Sequence, residues 1–425
     1  MNAGDLVRRA ITGDIEQTLR DASAVDVIAA GKASAAMLAA FGSAAEFPVR
    51  TRLGIRPRQS PAESHAAKHG VAPPPTAGVE WCDAGHPLPD EGSVDGARRA
   101  LEIAAGSRPQ DVLAVLLSGG GSALMALPAA GLSLGMKQHT ARTLMEQSAD
   151  IYELNTVRKH LSAIKGGRLA AACRGHVLTF AVSDVVGDDL SVIASGPTVA
   201  DESTFADALQ VLSRRGGVDA YPREVVQHLK RGAEGGILET PKKSDERLMR
   251  AVAHVIGRQR GAIDGARRAA ERLGYHVHVV AQPITGEARD SAREYVSVLS
   301  RTTASLPRPL CVISSGETTV TVTGRGKGGR NQEFALAMAP WLEAFGPQVL
   351  AASIGTDGVD GPTDAAGAMV DPTTLRRAQA LALPHAQSYL DDNNAYAFFD
   401  RLGDLIRTGP TNTNVGDIQV VLIDR

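Results

Sequence analysis

At 425 residues the chain is too long for one hydrophobic core, and its 43% hydrophobic content with 4% aromatics suits helices packed on a Val/Ile-rich sheet in a two-domain α/β enzyme. A formal net charge of -2 excludes recognition of nucleic acid or an anionic membrane by bulk charge, so charge must act locally. Acidic residues within Met1 to Asp21 and the absence of any run of ~20 apolar residues exclude a signal peptide and a membrane span, which predicts a cytoplasmic protein.

Strand, glycine turn and helix recur along the first half, the pattern of parallel α/β units. Val25 to Ala30 runs into Gly31-Lys32-Ala33-Ser34, Val112 to Leu117 into Ser118-Gly119-Gly120-Gly121-Ser122, and Val177 to Val182 into Ser183-Asp184. Leu154, Val157, Leu161 and Ile164 repeat at three and four residues, marking a helix flanked by Arg158, Lys159 and Lys165. A doubly wound N-terminal domain over residues 1–240 is expected. Within it, residues 50–80 are rich in Pro, Arg and Ala, with Pro73-Pro74-Pro75, and read as an exposed loop. His65 and His69 have no third ligand nearby, which argues against zinc. Cys82, Cys173 and Cys311 are too scattered for a zinc knuckle and odd in number, so free thiols are expected.

Gly and Pro cluster at Gly232 to Lys243, and a smaller α/β C-terminal domain is expected over 241–425. It opens with a strand at Val252 to Ile256 and a helix marked by Ile263, Ala266, Ala270 and Leu273. Strands follow at Val277 to Val280, Leu310 to Ile313, Thr318 to Thr323 and Val349 to Ile354. The last segment, Asp417 to Asp424, alternates weakly and closes either sheet.

Gly324 to Glu333 sets four glycines among Arg325, Lys327 and Arg330, the build of a turn whose amides converge on a polyanion. Gly324, Gly326 and Gly329 also satisfy G-x-G-x-x-G, but the preceding Thr/Val run has one wet face, unlike the buried strand of a dinucleotide fold. The Gly119 to Ser122 turn ends a buried strand, where ligands of open α/β sheets bind, and forms a second anion cradle. Gly31-Lys32 is no Walker A loop, because Asp26 stands where the first Gly belongs and Ala33 where Ser or Thr belongs. Lys32 is still placed to neutralise a transferred phosphoryl group. Two acidic turns, Asp184 with Asp188 and Asp189, and Asp357 with Asp360 and Asp364, offer hard oxygens for Mg²⁺ or a group that takes a hydroxyl proton. His86-Pro87 and Asn412-Thr413-Asn414 are further cleft-lining candidates.

Gly31-Lys32-Ala33, Gly85-His86-Pro87, Ser118 to Ala123, Asn155 to His160, Ser183-Asp184-Val185, Ser195 to Thr198, Gly328 to Glu333, Thr356-Asp357-Gly358 and Gly409-Pro410-Thr411, in this order, resemble the class II glycerate 2-kinases, the family containing the MOFRL domain. The resemblance implies a Rossmann-like N-terminal domain and a smaller MOFRL-type α/β C-terminal domain, with ATP, Mg²⁺ and D-glycerate meeting in an active-site cleft between them. The reaction implied is phosphorylation of the 2-hydroxyl to 2-phospho-D-glycerate; an NAD(P)-dependent hydroxypyruvate reductase is the alternative. Lys32, Arg325 and Asp184 are the expected catalytic residues. Ser118, Gly119, Gly120, Gly121, Ser122, Arg158, Lys165, Gly326, Gly328, Gly329, Arg330 and Asn331 are expected to bind substrate or nucleotide, and Asp184 and Asp357 to hold the metal. The substrate is a small molecule, with no nucleic acid or membrane partner, and a homodimer is left open. The short N-terminus and the Arg50 to Pro75 segment depart from the family pattern.

Overall fold

The computed structural model describes residues 2–43, 47–58, 78–185, 187–411 and 413–424, in two compact units that divide at Gly257/Arg258.

In the first unit, β1 (Val25–Ala30), β2 (Val49–Pro57), β3 (Glu80–Ala84), β4 (Val112–Leu117), β5 (His176–Val182) and β6 (Ala251–Gly257) form a sheet in the order β3-β2-β1-β4-β5-β6, every pair parallel. That is the doubly wound order, and its direction reverses between β1 and β4, where such sheets open a ligand crevice at the carboxyl ends of the strands. Every residue of β1 and β4 is buried, as a sheet covered on both faces demands. Beside the sheet, the helices Leu134–Glu146, Ile151–His160, Phe205–Arg214 and Arg223–Ala233 share their own core of Leu144, Leu154, Val157, Phe205, Val211 and Leu229.

Two expectations are corrected here. Val49–Pro57 is a strand, where the composition of 50–80 predicts an exposed loop. Its arginines find acids across the sheet: Arg50 pairs with buried Asp111 at 3.1 Å and donates from Nε to Asp26 at 3.1 Å, while Arg56 stacks 4.5 Å from the Trp81 ring centroid. His65, His69 and Pro73 to Pro75 lie outside the described residues. Val252 to Ile256 belongs to β6, the edge of the first sheet, so a boundary at 240/241 separates this strand from its partner β5.

The second unit holds β7 (His276–Val279), β8 (Ile284–Glu287), β9 (Leu310–Thr319), β10 (Val349–Gly355), β11 (Gly367–Val370), β12 (Leu405–Ile406) and β13 (Asp417–Ile423) in the order β12-β11-β10-β13-β9-β7, with β8 also on β9. β7 and β8 run parallel to β9, and the remaining pairs are antiparallel. The chain's last strand is therefore interior to this sheet. The strand expected over Thr318 to Thr323 ends at Thr319, beyond which the Thr321 amide donates to the Glu287 carboxylate at 3.1 Å. The helix Arg330–Met338 is buried at every position from Asn331 onward and packs with Phe398, Phe399 and Val421.

The three cysteines are free, with Cys173 and Cys311 buried. Among the described residues no helix is long and apolar enough to cross a membrane.

Candidate active site

The turns after β1 and β4 are tied together at the switch point. The Lys32 amide donates to the Gly119 carbonyl at 2.9 Å, and the Ala33 amide to the Ser118 hydroxyl at 3.0 Å. Gly31 has φ 135°, and a Cβ there overlaps Ser118 Oγ, so the close approach requires glycine. Gly120 takes φ 85° and lies against the His86 imidazole, which places the Gly85-His86-Pro87 loop over the triple glycine. The Gly121 amide is used on the Ser118 carbonyl. Those of Gly119, Gly120 and Ser122 donate to no acceptor among the described residues, which leaves a concave set of N–H groups open to an anion. Ser34 Oγ, buried at the start of the next helix, is likewise without a partner among the described residues. Asp184 follows β5, one strand beyond this turn.

Next to the turn lies a cluster of cations. Lys165 Nζ donates to the carbonyls of Ser122 at 2.9 Å and Ala194 at 3.3 Å, and Lys137 Nζ to the Leu127 carbonyl at 3.4 Å. The Arg158 guanidinium has no acceptor among the described residues. Lys165 is 1% exposed and Lys137 8%. Burial, with Arg158 nearby, pushes the Lys137 ammonium down to about 7. Burial, then Lys137 and Arg158, holds Lys165 well below the usual lysine range, and burial brings Arg158 down to about 10. Like charges held out of water with no carboxylate between them are costly unless a ligand supplies the counter-charge.

The backbone around this cluster is strained. Ala194, Ser195 and Gly196 take φ of 51°, 61° and 59° in succession, which is rare for the first two. That conformation aims the Ala194 carbonyl at Lys165 and sets Ser195 Oγ 2.9 Å from both Ser122 Oγ and Asn155 Oδ1. Ser195 thus joins the glycine turn to the helix that carries Arg158. Asn155 Nδ2 is buried without a partner among the described residues, and Asn155 lines a cavity of about 190 Å³ together with Lys159, Ser191 and Asp201.

The glycine turn of the second unit differs from its expectation. Its amides from Thr323 to Lys327 are already used: Thr323 and Gly324 donate to Asn393 Oδ1 at 2.8 and 2.9 Å, Arg325 to Asp392 at 2.9 Å, Gly326 to the Asp392 carbonyl at 2.8 Å and Lys327 to Asn394 at 3.2 Å, while those of Gly328 and Gly329 donate to no acceptor among the described residues. None of Gly324, Gly326, Gly328 and Gly329 takes positive φ. A Cβ on Gly324 or Gly326 overlaps the 392–394 segment and one on Gly329 overlaps Asp360, so close chain packing by itself requires glycine at these three positions. The G-x-G-x-x-G spacing carries no dinucleotide turn.

Arg330, expected to face phosphate, pairs with buried Asp417 at 2.7 Å and Glu317 at 3.1 Å. Asn331, expected to bind ligand, reaches Asp360, Asp417 and Ser353 instead. Gln332 bonds Thr363, and Glu333 joins Arg289 to Asn393. These residues brace the turn. On this rigid platform Arg325 is exposed and its guanidinium has no acceptor among the described residues, while Lys327 lies 4.5 Å from the Tyr396 ring centroid. Asp357 accepts the Val359 amide at 3.1 Å, Asp360 caps the helix Arg330–Met338, and Asp364 binds Tyr396 and Arg407. Asn412 lies outside the described residues, and Thr413 and Asn414 are buried ahead of β13.

Lys32 and the Ser118 to Ser122 turn, both expected at the site, lie side by side; Asn155 and Ser195 stood in motifs of the family resemblance without a site role, and Lys137 was not singled out. Lys137 carried one signal: in its helix it has no acid three or four residues away to pair with.

Comparison with known proteins agrees with this architecture. A model described as Domain of unknown function (DUF4147) matches residues 1–230, and that of the MOFRL family matches 310–417. A glycerate 2-kinase of Pyrococcus horikoshii is 39% identical over 349 residues, 81% of this chain and 78% of its own. A D-glycerate 2-kinase of Thermotoga maritima is 40% identical over 360 residues, 84% and 83% of the two chains. The crystal structure of a T. maritima glycerate kinase superposes with a TM-score of 0.81 at 36% identity, covering 99% of this chain and 96% of that one. The chain belongs to the glycerate 2-kinase family, with a DUF4147 region followed by a MOFRL region.

Proposed function

We propose that this protein is a glycerate kinase that transfers the terminal phosphoryl group of ATP to the 2-hydroxyl of D-glycerate. The observation that carries this reading is the joining of open amides on Gly119, Gly120 and Ser122 to two buried lysines and the half-buried Arg158 at the switch point of a doubly wound sheet. In-line phosphoryl transfer asks for positioning and charge neutralisation rather than covalent chemistry, and this is what such groups supply.

In this reading the Ser118 to Ser122 turn holds an anionic group of donor or acceptor, Gly121 keeping the turn tight. Lys32 and Arg325 neutralise charge as it shifts during transfer, Arg158 and Lys165 bind substrate through its negative charge, and Arg330 acts by bracing the Arg325 turn. Asp184 and Asp357 are carboxylates at strand ends, a donor type that suits Mg²⁺, which keeps several waters and needs only one or two of them. Bound there, Mg²⁺ would neutralise donor phosphate charge; alternatively one of these carboxylates accepts the hydroxyl proton of the acceptor. Among the described residues no group of three or more His, Cys, Asp and Glu forms a larger metal site.

A nicotinamide-dependent reductase is less well supported, because the amides from Gly324 to Lys327 in the G-x-G-x-x-G turn are bonded to the 392–394 segment and none of its glycines takes positive φ. The two readings separate cleanly in solution. The kinase reading expects ADP release that requires D-glycerate and Mg²⁺, and no loss of nicotinamide absorbance with hydroxypyruvate. Absorbance loss without ATP, or ATP binding without product from any small hydroxy acid, counts against it.

A further inference from the structure

We propose that Lys137, Arg158 and Lys165 form a closed subsite for the carboxylate of the acceptor, separate from the groups that hold the donor phosphates. The identity of the acid rests on the kinase reading above; the subsite itself rests on geometry.

Count the available donors first. Lys165 uses two of its three N–H groups on the Ser122 and Ala194 carbonyls, and Lys137 uses one on Leu127. The planar five-donor fork of Arg158 is unspent among the described residues. A carboxylate offers two oxygens and about four lone-pair directions, which Arg158 fits bidentately with a lysine completing the shell. Closure matters as well. Lys165 and Lys137 are almost wholly buried, so the anion that reaches them must be small and must shed its water cheaply. A triphosphate carrying Mg²⁺ keeps several metal-bound waters and is a poor fit to such a place.

The cations and the open amides are adjacent. The carbonyl that holds Lys165 belongs to Ser122, whose own amide, with those of Gly119 and Gly120, is open. An anion on the amides and a carboxylate on the cations are thus neighbours, as a short hydroxy acid receiving a phosphoryl group requires. Ser195, held in a left-handed conformation, fixes this spacing by bonding both Ser122 and Asn155, one turn before Arg158. The depressed Lys137 is consistent with a subsite that is completed by its ligand, Arg158 and Lys165 being the charged groups that face it among the described residues.

The test reads binding, not turnover. Calorimetric titration of the full chain with D-glycerate, with glycerol, and with a non-hydrolysable ATP analogue plus Mg²⁺ is compared among wild type, Arg158→Gln and Lys137→Met. Because Lys137→Met replaces a buried unpaired cation by a chain of similar length, it is expected to stay folded. D-glycerate but not glycerol should bind the wild type. Each variant should weaken D-glycerate by about tenfold or more, as loss of a charged hydrogen bond does, with the nucleotide analogue within about threefold of wild type. Unchanged glycerate binding in both variants overturns the subsite, and so does a loss that falls on the nucleotide instead. Failure of the wild type to transfer phosphate counts against the kinase reading alone, since the carboxylate titrations are read without turnover.

Discussion

The carboxylate of Asp360 accepts the backbone amide of Asn331 at 3.0 Å, and that bond ties the turn after β10 to the first turn of the helix Arg330–Met338. Gln332 adds a second amide at 2.8 Å, so one buried acid satisfies two helix N-terminal donors. Burial still dominates over these bonds and pushes Asp360 up to about 7. A raised folded-state pKa means the folded protein holds this proton more tightly than the unfolded chain. The Asp360 contribution to stability therefore grows as pH falls from about 7 toward about 4, by on the order of 4 kcal/mol. Amide exchange of the Arg330–Met338 helix in the full chain, corrected for intrinsic rates, should slow between pH 8 and pH 5.5, and Asp360→Asn should lose most of that dependence. An unchanged pH dependence in the variant contradicts this account of Asp360.

Arg325 and Arg330 should behave oppositely. Removal of Arg330 leaves Asp417 buried and unpaired, so Arg330→Ala is expected to lower stability by about 3 kcal/mol. Arg325→Ala removes an exposed side chain and should leave the unfolding midpoint in place while lowering kcat by about a hundredfold or more. Thermal unfolding and steady-state kinetics on the two variants check both halves.

Glycines of the two turns should also part company. Gly326→Ala forces a Cβ into Asn394 and is expected to cost about 1–3 kcal/mol of stability in the second unit. Gly120→Ala strains a residue at φ 85° and crowds His86 where an anion is expected, so its loss should be mainly in activity. Comparison of denaturant midpoints with kcat/KM separates the two effects.

Lys137 sets a pH dependence for the acceptor. Its ammonium is pushed down to about 7 by burial, so its charged fraction falls as pH rises through neutrality. D-glycerate affinity should weaken from pH 6.5 to pH 8.5, and Lys137→Met should bind weakly with little slope over that interval. Titration at the two pH values decides this, and a wild-type affinity that strengthens with pH runs against it.

The pattern of what the sequence disclosed has physical reasons. β1, β4 and β5 were legible because strands covered on both faces must be nearly continuous apolar runs. β2 was not, because Arg50 and Arg56 mimic a loop until their acids and Trp81 are found on neighbouring strands. β13 was placed only by tertiary pairing, with Asp417 and Gln419 buried by side-chain bonds. Gly120 in the Ser118 to Ser122 turn takes the positive φ that glycine permits, whereas Gly324 and Gly326 pack against 392–394, a distance of sequence that local patterns do not span. Lys137 acquires its role only when two helices bring it to Arg158 and Lys165.

The central claim is the transfer of phosphate to a secondary hydroxyl, and phosphorus NMR of the product tests it most directly. With protein, ATP, Mg²⁺ and D-glycerate, the new phosphomonoester signal should be a doublet, split by the single proton on carbon 2. A triplet, from the two protons of carbon 3, or no new ester signal at all, contradicts the account.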